Sequence, residues 1–337
     1  MRILVVGCGS IGLRHMRNLR ALGINDLLGF DTAAGARERA QKDCGARLFD
    51  SLDEALNLNP TLALICTPPH LHVSAALQAA AAGCHLFIEK PLANHMEGLD
   101  LLAGEVRRRR LITLVGCNMR FHHGPASIKR LLAQGVVGNV ISAILDAGQY
   151  MPDWHPELDY RNRYSASNEM GGGVVLDGIH EIDYARWLFG EISEVFAYGG
   201  KRSTLDIDVE DVADILMKFE SGASAMIHID YIQRAYSRSC KVIGEQGTIV
   251  WDINQDLRWY SAAIGQWTTI EAPHGYNINQ MYLDEMAHLL ECVRQQKPTT
   301  LEIEEAICVT RWALRIKKSM STGEKQVRGV ERCAYSQ

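Results

Sequence analysis

The chain has 337 residues, 47% hydrophobic and 22% charged, a composition that excludes a disordered protein and is long enough for two domains with substantial cores. Its formal net charge of −5 argues against a generally nucleic-acid-binding surface. The nine cysteines form no CxxC pair and several lie in apolar runs such as Leu64-Ile65-Cys66, so reduced, mostly buried thiols are expected and no metal set is. Met1 leads directly into the first strand and the apolar stretches are too interrupted to span a bilayer, so the expectation is a cytoplasmic protein without a membrane partner.

In chain order, the strand-like run Arg2-Ile3-Leu4-Val5-Val6 breaks into Gly7-Cys8-Gly9-Ser10-Ile11-Gly12 and continues as a helix to Leu22. This is the dinucleotide-binding fingerprint in its required context. The first glycine permits the tight turn, the second lets backbone approach a pyrophosphate, and the third lets helix pack on strand. Amides at the helix start, from Ser10 and Ile11, then face the phosphates. Asp31 ends the next apolar run nineteen residues after Gly12, where a carboxylate accepts from ribose hydroxyls and repels a 2′-phosphate. NAD is therefore expected over NADP.

Further strands are expected at Arg47 to Phe49, Leu62 to Cys66, His85 to Ile88 and Ile112 to Val115. Helices, including Ser51 to Asn57 and Leu71 to Ala82, fill the gaps. Such a wound parallel sheet places its ligand beyond the carboxyl ends of its strands. Thr67, Pro68 and His72 follow the fourth strand, Glu89, Lys90 and Pro91 the fifth, and Asn118 the sixth. The prolines at 68 and 69 stiffen a flat edge on which a nicotinamide could rest, although the same residues also serve as a plain helix-entry turn. Most lysines are simply solvated, but Lys90 at a strand end can donate to a substrate oxygen as charge develops there.

After Asn118 the rhythm changes. A helix is expected over Pro125 to Gln134, a strand over Val140 to Gln149, and an aromatic, charged loop from Tyr150 to Ser167. Gly171-Gly172-Gly173 leads into a helix expected to run unbroken from Val174 to Phe189. On that helix Asp177 and His180 fall on one face, suited to proton transfer at an alcohol oxygen. A capped amphipathic helix is the plainer alternative. Strands at Ser193 to Tyr198, Val212 to Phe219, Ala223 to Tyr231, Ser239 to Val242, Thr248 to Asp252 and Asp256 to Tyr260 lack intervening helices, which implies a largely antiparallel sheet. Helices near Ile278 to Gln295 and Glu302 to Met320 close the chain. The expected fold is thus α/β, a doubly wound parallel sheet over 1–118 and an α+β domain with an open sheet over 119–337.

Taken together, Gly7-x-Gly9-x-x-Gly12, Thr67-Pro68-Pro69-x-x-His72, Glu89-Lys90-Pro91, Asn118-Met119-Arg120-Phe121 and Gly171 to Asp183 occur in an order that resembles the glucose-fructose oxidoreductase, inositol dehydrogenase and MocA (Gfo/Idh/MocA) family over nearly the whole chain. The resemblance implies an N-terminal Rossmann domain that binds NAD through Gly7, Gly9, Ser10, Ile11, Gly12, Asp31, Thr67, Pro68, His72, Glu89, Lys90 and Asn118. It also implies a second domain that binds substrate and makes homodimer or homotetramer contacts. Lys90 then corresponds to the active-site lysine and His180 to the catalytic histidine, with Asp177 beside it. Family members commonly separate that aspartate and histidine by four positions; here the spacing is three, while His180 to Asp183 keeps the usual onward spacing.

The substrate, held between the nicotinamide and the second domain's sheet, is expected to meet Lys90, Arg120, Asp177 and His180. From the loop it is expected to meet Tyr150, Trp154, His155 and Arg163, since aromatics cover a sugar face and arginines hold carboxylate or phosphate. An exposed loop with its own salt bridges is the alternative. The loop and the Gly-Gly-Gly form look like members acting on sugars or nucleotide-activated sugars in surface-polysaccharide pathways. The implied activity is hydride exchange between nicotinamide and a sugar, polyol or nucleotide-sugar hydroxyl or ketone. An NAD-dependent glycosidase that oxidises its sugar transiently, and a non-catalytic sensor of NAD and sugar, are the competing readings.

Overall fold

The computed structural model describes residues 1–154 and 156–329. They divide into two compact units, one of Met1–Asn118 with Asn279–Thr310, the other of Met119–Ile278 with residues 311–329.

The first unit is built on six parallel strands: β1 (Arg2–Val6), β2 (Asp26–Phe30), β3 (Arg47–Phe49), β4 (Leu62–Ile65), β5 (His85–Ile88) and β6 (Thr113–Val115). Their order, β3-β2-β1-β4-β5-β6, reverses direction between β1 and β4, and the crevice at that switch point is where a wound sheet takes its ligand. Ile3, Leu4, Val5 and Val6 are all fully buried, as expected of a central strand covered on both faces. The covering helices include α1 (Ser10–Ala21), α2 (Ala34–Cys44), α3 (Leu52–Leu56), α4 (His72–Ala81) and α5 (Leu99–Arg109).

The leading segment of the first unit ends at Asn118, and Asn279–Thr310 belongs with it. Helix α9 (Gln280–Gln295) places Met286, Leu289, Leu290 and Val293 in the core of the parallel sheet's unit. The Asn18 and Asn279 side-chain amides are hydrogen-bonded to each other, and the Leu301 carbonyl accepts from the Val115 N–H of edge strand β6 at 3.1 Å. An amphipathic helix advertises an apolar face in sequence without naming the partner that covers it.

The second unit holds α6 (His123–Ala133), α7 (Val174–Asp177), α8 (Ile179–Phe189) and a nine-stranded sheet. In chain order the strands are β7 (Val140–Gly148), β8 (Ile192–Gly200), β9 (Val212–Phe219), β10 (Ser224–Asp230), β11 (Ser237–Gly244), β12 (Gly247–Asp252), β13 (Leu257–Ser261), β14 (Gln266–Ile270) and β15 (Gln326–Val327). In space they run β14-β13-β12-β11-β7-β10-β9-β8-β15, and only the β7/β10 pair is parallel. Strand β9 shows the alternation of a half-covered sheet: Ala213, Ile215, Met217 and Phe219 are buried, with Asp214, Leu216 and Lys218 on the other face.

One expectation is corrected here. The helix from Val174 does not run unbroken, because Gly178 separates α7 from α8. A Cβ at Gly178 would stand 2.8 Å from the Val174 carbonyl oxygen and 3.3 Å from Ile229 Cδ1, so the glycine lets this corner pack on β10. Seven cysteines of the described residues are free and buried. No helix among the described residues is long and apolar enough to cross a membrane.

Candidate active site

In the first unit, three glycines shape the turn between β1 and α1. Gly7 has φ +96° and its missing Cβ would lie 2.7 Å from the Cys66 carbonyl oxygen across the switch point. A Cβ on Gly12 would stand 1.9 Å from the Gly7 carbonyl oxygen, so this residue must be glycine for the helix to seat on the strand. Gly9 differs: no described atom lies within 4 Å of where its Cβ would be. The open space adjoins the first turn of α1, which has no side-chain cap and no acidic residue, leaving the amides at Ser10 and Ile11 suited to an anion.

Asp31 is fixed at the end of β2. Its Oδ2 accepts from the Cys8 N–H and its Oδ1 from the Ala33 N–H, both at 2.8 Å. Each carboxylate oxygen keeps a further lone pair. At the same rim, the Thr67 hydroxyl and the Asn118 Oδ1 are buried with no hydrogen-bond partner among the described residues. Buried polar atoms rarely stay unsatisfied without a reason. The open cradle over Gly9, the oriented Asp31 and these two atoms together fit a dinucleotide.

Two expected cofactor contacts face inward instead. His72 is 1% exposed, with Nε2 2.7 Å from the Thr67 carbonyl oxygen and Nδ1 2.9 Å from that of Pro91. Glu89 lies beneath the rim, its Oε1 2.6 Å from His15 Nε2 and its Oε2 accepting from the Lys90 backbone N–H at 3.1 Å. Burial raises the Glu89 pKa, but the His15 hydrogen bond and the charges of His15 and Lys90 outweigh it and hold the carboxyl below its ordinary value. Burial pushes His72 down, against the pull of the two carbonyls. Lys90 itself is half-buried just after β5, and Thr67 and Pro68, just after the paired strand β4, are likewise half-buried. His15 was missed in the sequence, where one histidine in the apolar stripe of α1 was the only signal.

In the second unit, Asp177 closes α7 and is held by two phenols. Tyr164 donates to its Oδ1 at 2.8 Å and Tyr231 to its Oδ2 at 3.3 Å. Burial and then the Asp177 charge push the Tyr231 hydroxyl well above its ordinary pKa, so it stays a donor. The Trp154 ring meets Tyr231 edge-on at 5.2 Å, its Nε1 donates to the Gln149 carbonyl, and the Arg163 guanidinium lies 5.9 Å over the indole. Trp154, Arg163 and Asp177 are thus brought together around Tyr231. Tyr150 is stacked under Arg234 at 3.6 Å, and His155 lies outside the described residues.

The glycine triplet has a structural cause. A Cβ on Gly172 would fall 2.3 Å from the Tyr164 carbonyl oxygen, and one on Gly173 2.4 Å from Glu210 Oε1. Backbone therefore threads between the aromatic loop and the Glu210 carboxylate, which is paired with Lys317 at 3.0 Å. His180 follows in the first turn of α8, 7% exposed. Buried ion pairs fix that helix: Arg238 with Glu181 at 2.8 Å, Arg186 with Glu191, and Arg120 bidentate on Asp183 at 2.8 and 2.7 Å. Arg120, expected to meet substrate, is instead an internal brace, 5% exposed with its guanidinium fork on Asp183.

Comparison with known proteins agrees with both halves of this description. Residues 1–117 match the family described as "Oxidoreductase family, NAD-binding Rossmann fold", and residues 126–250 match the "GFO/IDH/MocA C-terminal domain". A myo-inositol 2-dehydrogenase of Thermotoga maritima is 30% identical over 264 residues, 75% of each chain. A scyllo-inositol 2-dehydrogenase (NAD(+)) of Bacillus subtilis is 25% identical over 91% of this chain and 90% of its own. Among solved structures, levoglucosan dehydrogenase in complex with NADH superposes with a TM-score of 0.87 at 19% identity, covering 96% of this chain and 98% of that one. At that identity the superposition speaks to fold alone.

Proposed function

The chain belongs to the Gfo/Idh/MocA oxidoreductase family, and from that premise we propose that it is an NAD-dependent dehydrogenase of a sugar or polyol hydroxyl. The observation that carries the reading is the rim of the parallel sheet, where Lys90 stands at the end of β5 in the same unit as an open glycine cradle and an oriented Asp31. Bound NAD supplies the hydride acceptor; the protein supplies placement and charge.

In this proposal Gly7, Gly9 and Gly12 shape the pyrophosphate turn, Ser10 and Ile11 offer amides, and Asp31 accepts from the adenosine ribose. Thr67, Pro68 and Asn118 line the nicotinamide end. The Lys90 ammonium donates to the reacting hydroxyl and stabilises the oxygen as it gains negative charge. His180 takes the hydroxyl proton, an exchange suited to an imidazole near neutral pH. Ketone reduction uses the same groups in reverse. Asp177 orients the Tyr164 and Tyr231 hydroxyls, which with Trp154 and Arg163 form a polar and aromatic surface for a substrate bearing several hydroxyls. A nucleotide-activated sugar of surface-polysaccharide metabolism is the finer form of this reading, with Arg163 meeting the anionic part.

The test is a panel of inositols, anhydrosugars, free sugars and nucleotide sugars incubated with NAD. Net NADH accumulation with one of them supports a dehydrogenase. Bond cleavage of a glycoside without net NADH would replace the reading with transient oxidation, and saturable sugar binding with no turnover would replace it with a sensor.

A further inference from the structure

Two histidines in the first unit are buried, and neither has a role in the reaction proposed above. His15 is 0% exposed and His72 1%. They sit on different helices, α1 and α4, yet both end on the same turn. His15 Nε2 meets the Glu89 carboxylate at 2.6 Å, and that carboxylate accepts from the Lys90 amide. His72 Nδ1 meets the Pro91 carbonyl at 2.9 Å, while its other nitrogen meets Thr67. The residues on either side of Lys90 are therefore each held by a buried imidazole.

The surroundings close the arrangement. Phe87 and Tyr282 pack against the His15 ring at centroid distances of 4.9 and 6.1 Å, and the Arg14 guanidinium lies 4.6 Å over Tyr282. Across from His15, a Cβ on Gly116 would stand 3.3 Å from Glu89 Oε2, so the chain after β6 comes close to the carboxylate from the other side. Burying an imidazole against a carboxylate carries a desolvation cost that an apolar pair of the same volume would avoid. Stability of the sheet alone does not account for the choice. Fixing a turn does, because a lysine on a flexible four-carbon stem can present its ammonium at one place only if its own backbone is held.

We propose that His15 and His72 are positioning residues that clamp Glu89 and Pro91 and thereby set the place of the Lys90 ammonium. His72 also stands between that turn and the Thr67 turn, its one N–H in the neutral form donating to one of the two carbonyls while the ring packs against the other. The inference rests on the proposed role of Lys90 at the cofactor rim, and its test separates the two.

The full chain is treated with limiting acetic anhydride, and acetylation of Lys90 is measured by peptide mass spectrometry relative to Lys42, an exposed lysine of α2, with and without NADH. In His15→Ala and in His72→Ala the Lys90 to Lys42 ratio rises about fivefold, the order expected for loss of one buried hydrogen bond. His15→Gln, which keeps a donor for Glu89, returns the ratio close to wild type. Thermal melting and Lys42 labelling report the general fold, which a merely structural role would change without moving the ratio. If His15→Ala does not fold, Glu89→Gln is measured in its place, with the same rise expected. An unchanged ratio in folded variants at both histidine positions overturns the clamp. Failure of NADH to shield Lys90 in the wild type, with NADH demonstrably bound, overturns the reading of Lys90 instead.

Discussion

Gly9 and Gly12 belong to one motif, yet the structure assigns them opposite vulnerabilities. Gly9 has φ −68° and ψ −164°, extended backbone open to any residue. Its Cβ would meet no described atom within 4 Å. Gly9→Ala should therefore leave the free protein as stable as wild type, or about 0.4–1 kcal/mol more stable through a stiffer unfolded chain. The added methyl instead fills the space where a pyrophosphate must approach backbone. Losing one charge-assisted amide bond, at about 1.5–3 kcal/mol, weakens NADH binding by roughly tenfold to 150-fold. Gly12→Ala reverses the pattern, because a Cβ 1.9 Å from the Gly7 oxygen forces helix and strand apart at a cost of about 1–3 kcal/mol or more. The assay is thermal melting without ligand, followed by NADH fluorescence titration. Wild-type NADH affinity in Gly9→Ala would refute the reasoning.

Other predictions concern single contacts. Asp31→Ser should lower NADH affinity by about tenfold and raise NADPH affinity, since it removes a ribose acceptor and the repulsion of a 2′-phosphate; parallel titrations of the two cofactors check it. Arg120→Ala should cost about 3–5 kcal/mol by leaving Asp183 buried without its bidentate partner, visible as a lowered denaturant midpoint; a midpoint equal to wild type contradicts the brace. His228 sits between Asp230 and Asp214, whose hydrogen bonds, opposed by burial, raise its pKa from 6.5 to about 9. Its contribution is full below the unfolded value of 6.5 and is lost as pH rises through about 9. With 38% of the side chain exposed, solvent screening reduces the effect to about 1 kcal/mol. The stability gap between wild type and His228→Gln should thus close across that window, and a gap constant with pH would speak against it.

The wound sheet was legible because its signals are local. Continuous apolar strands, glycines at fixed offsets and an acid at the next strand end all lie within a short span of chain. Strand β14 was not, because every residue from Gln266 to Thr269 is exposed and Ile270 is only half-buried, so no buried face writes an alternation into the sequence. The break at Gly178 had a signal, an interior glycine, but the apolar pattern ran through it. Asp177 was found by its spacing to His180, although what holds it comes from Tyr164 and Tyr231, thirteen and fifty-four positions away. Arg120 and Glu89 stand out in sequence, but their partners are Asp183 and His15. Sequence shows that a charged residue sits near a strand end; only packing shows whether it faces ligand or core.

The central claim is tested most directly by following deuterium from a carbinol carbon of a turned-over polyol into NADH, in wild type, Lys90→Ala and His180→Ala. The account predicts label in the wild-type NADH and loss of turnover by about two to four orders of magnitude in each variant. Wild-type rates of label transfer in both variants would contradict it.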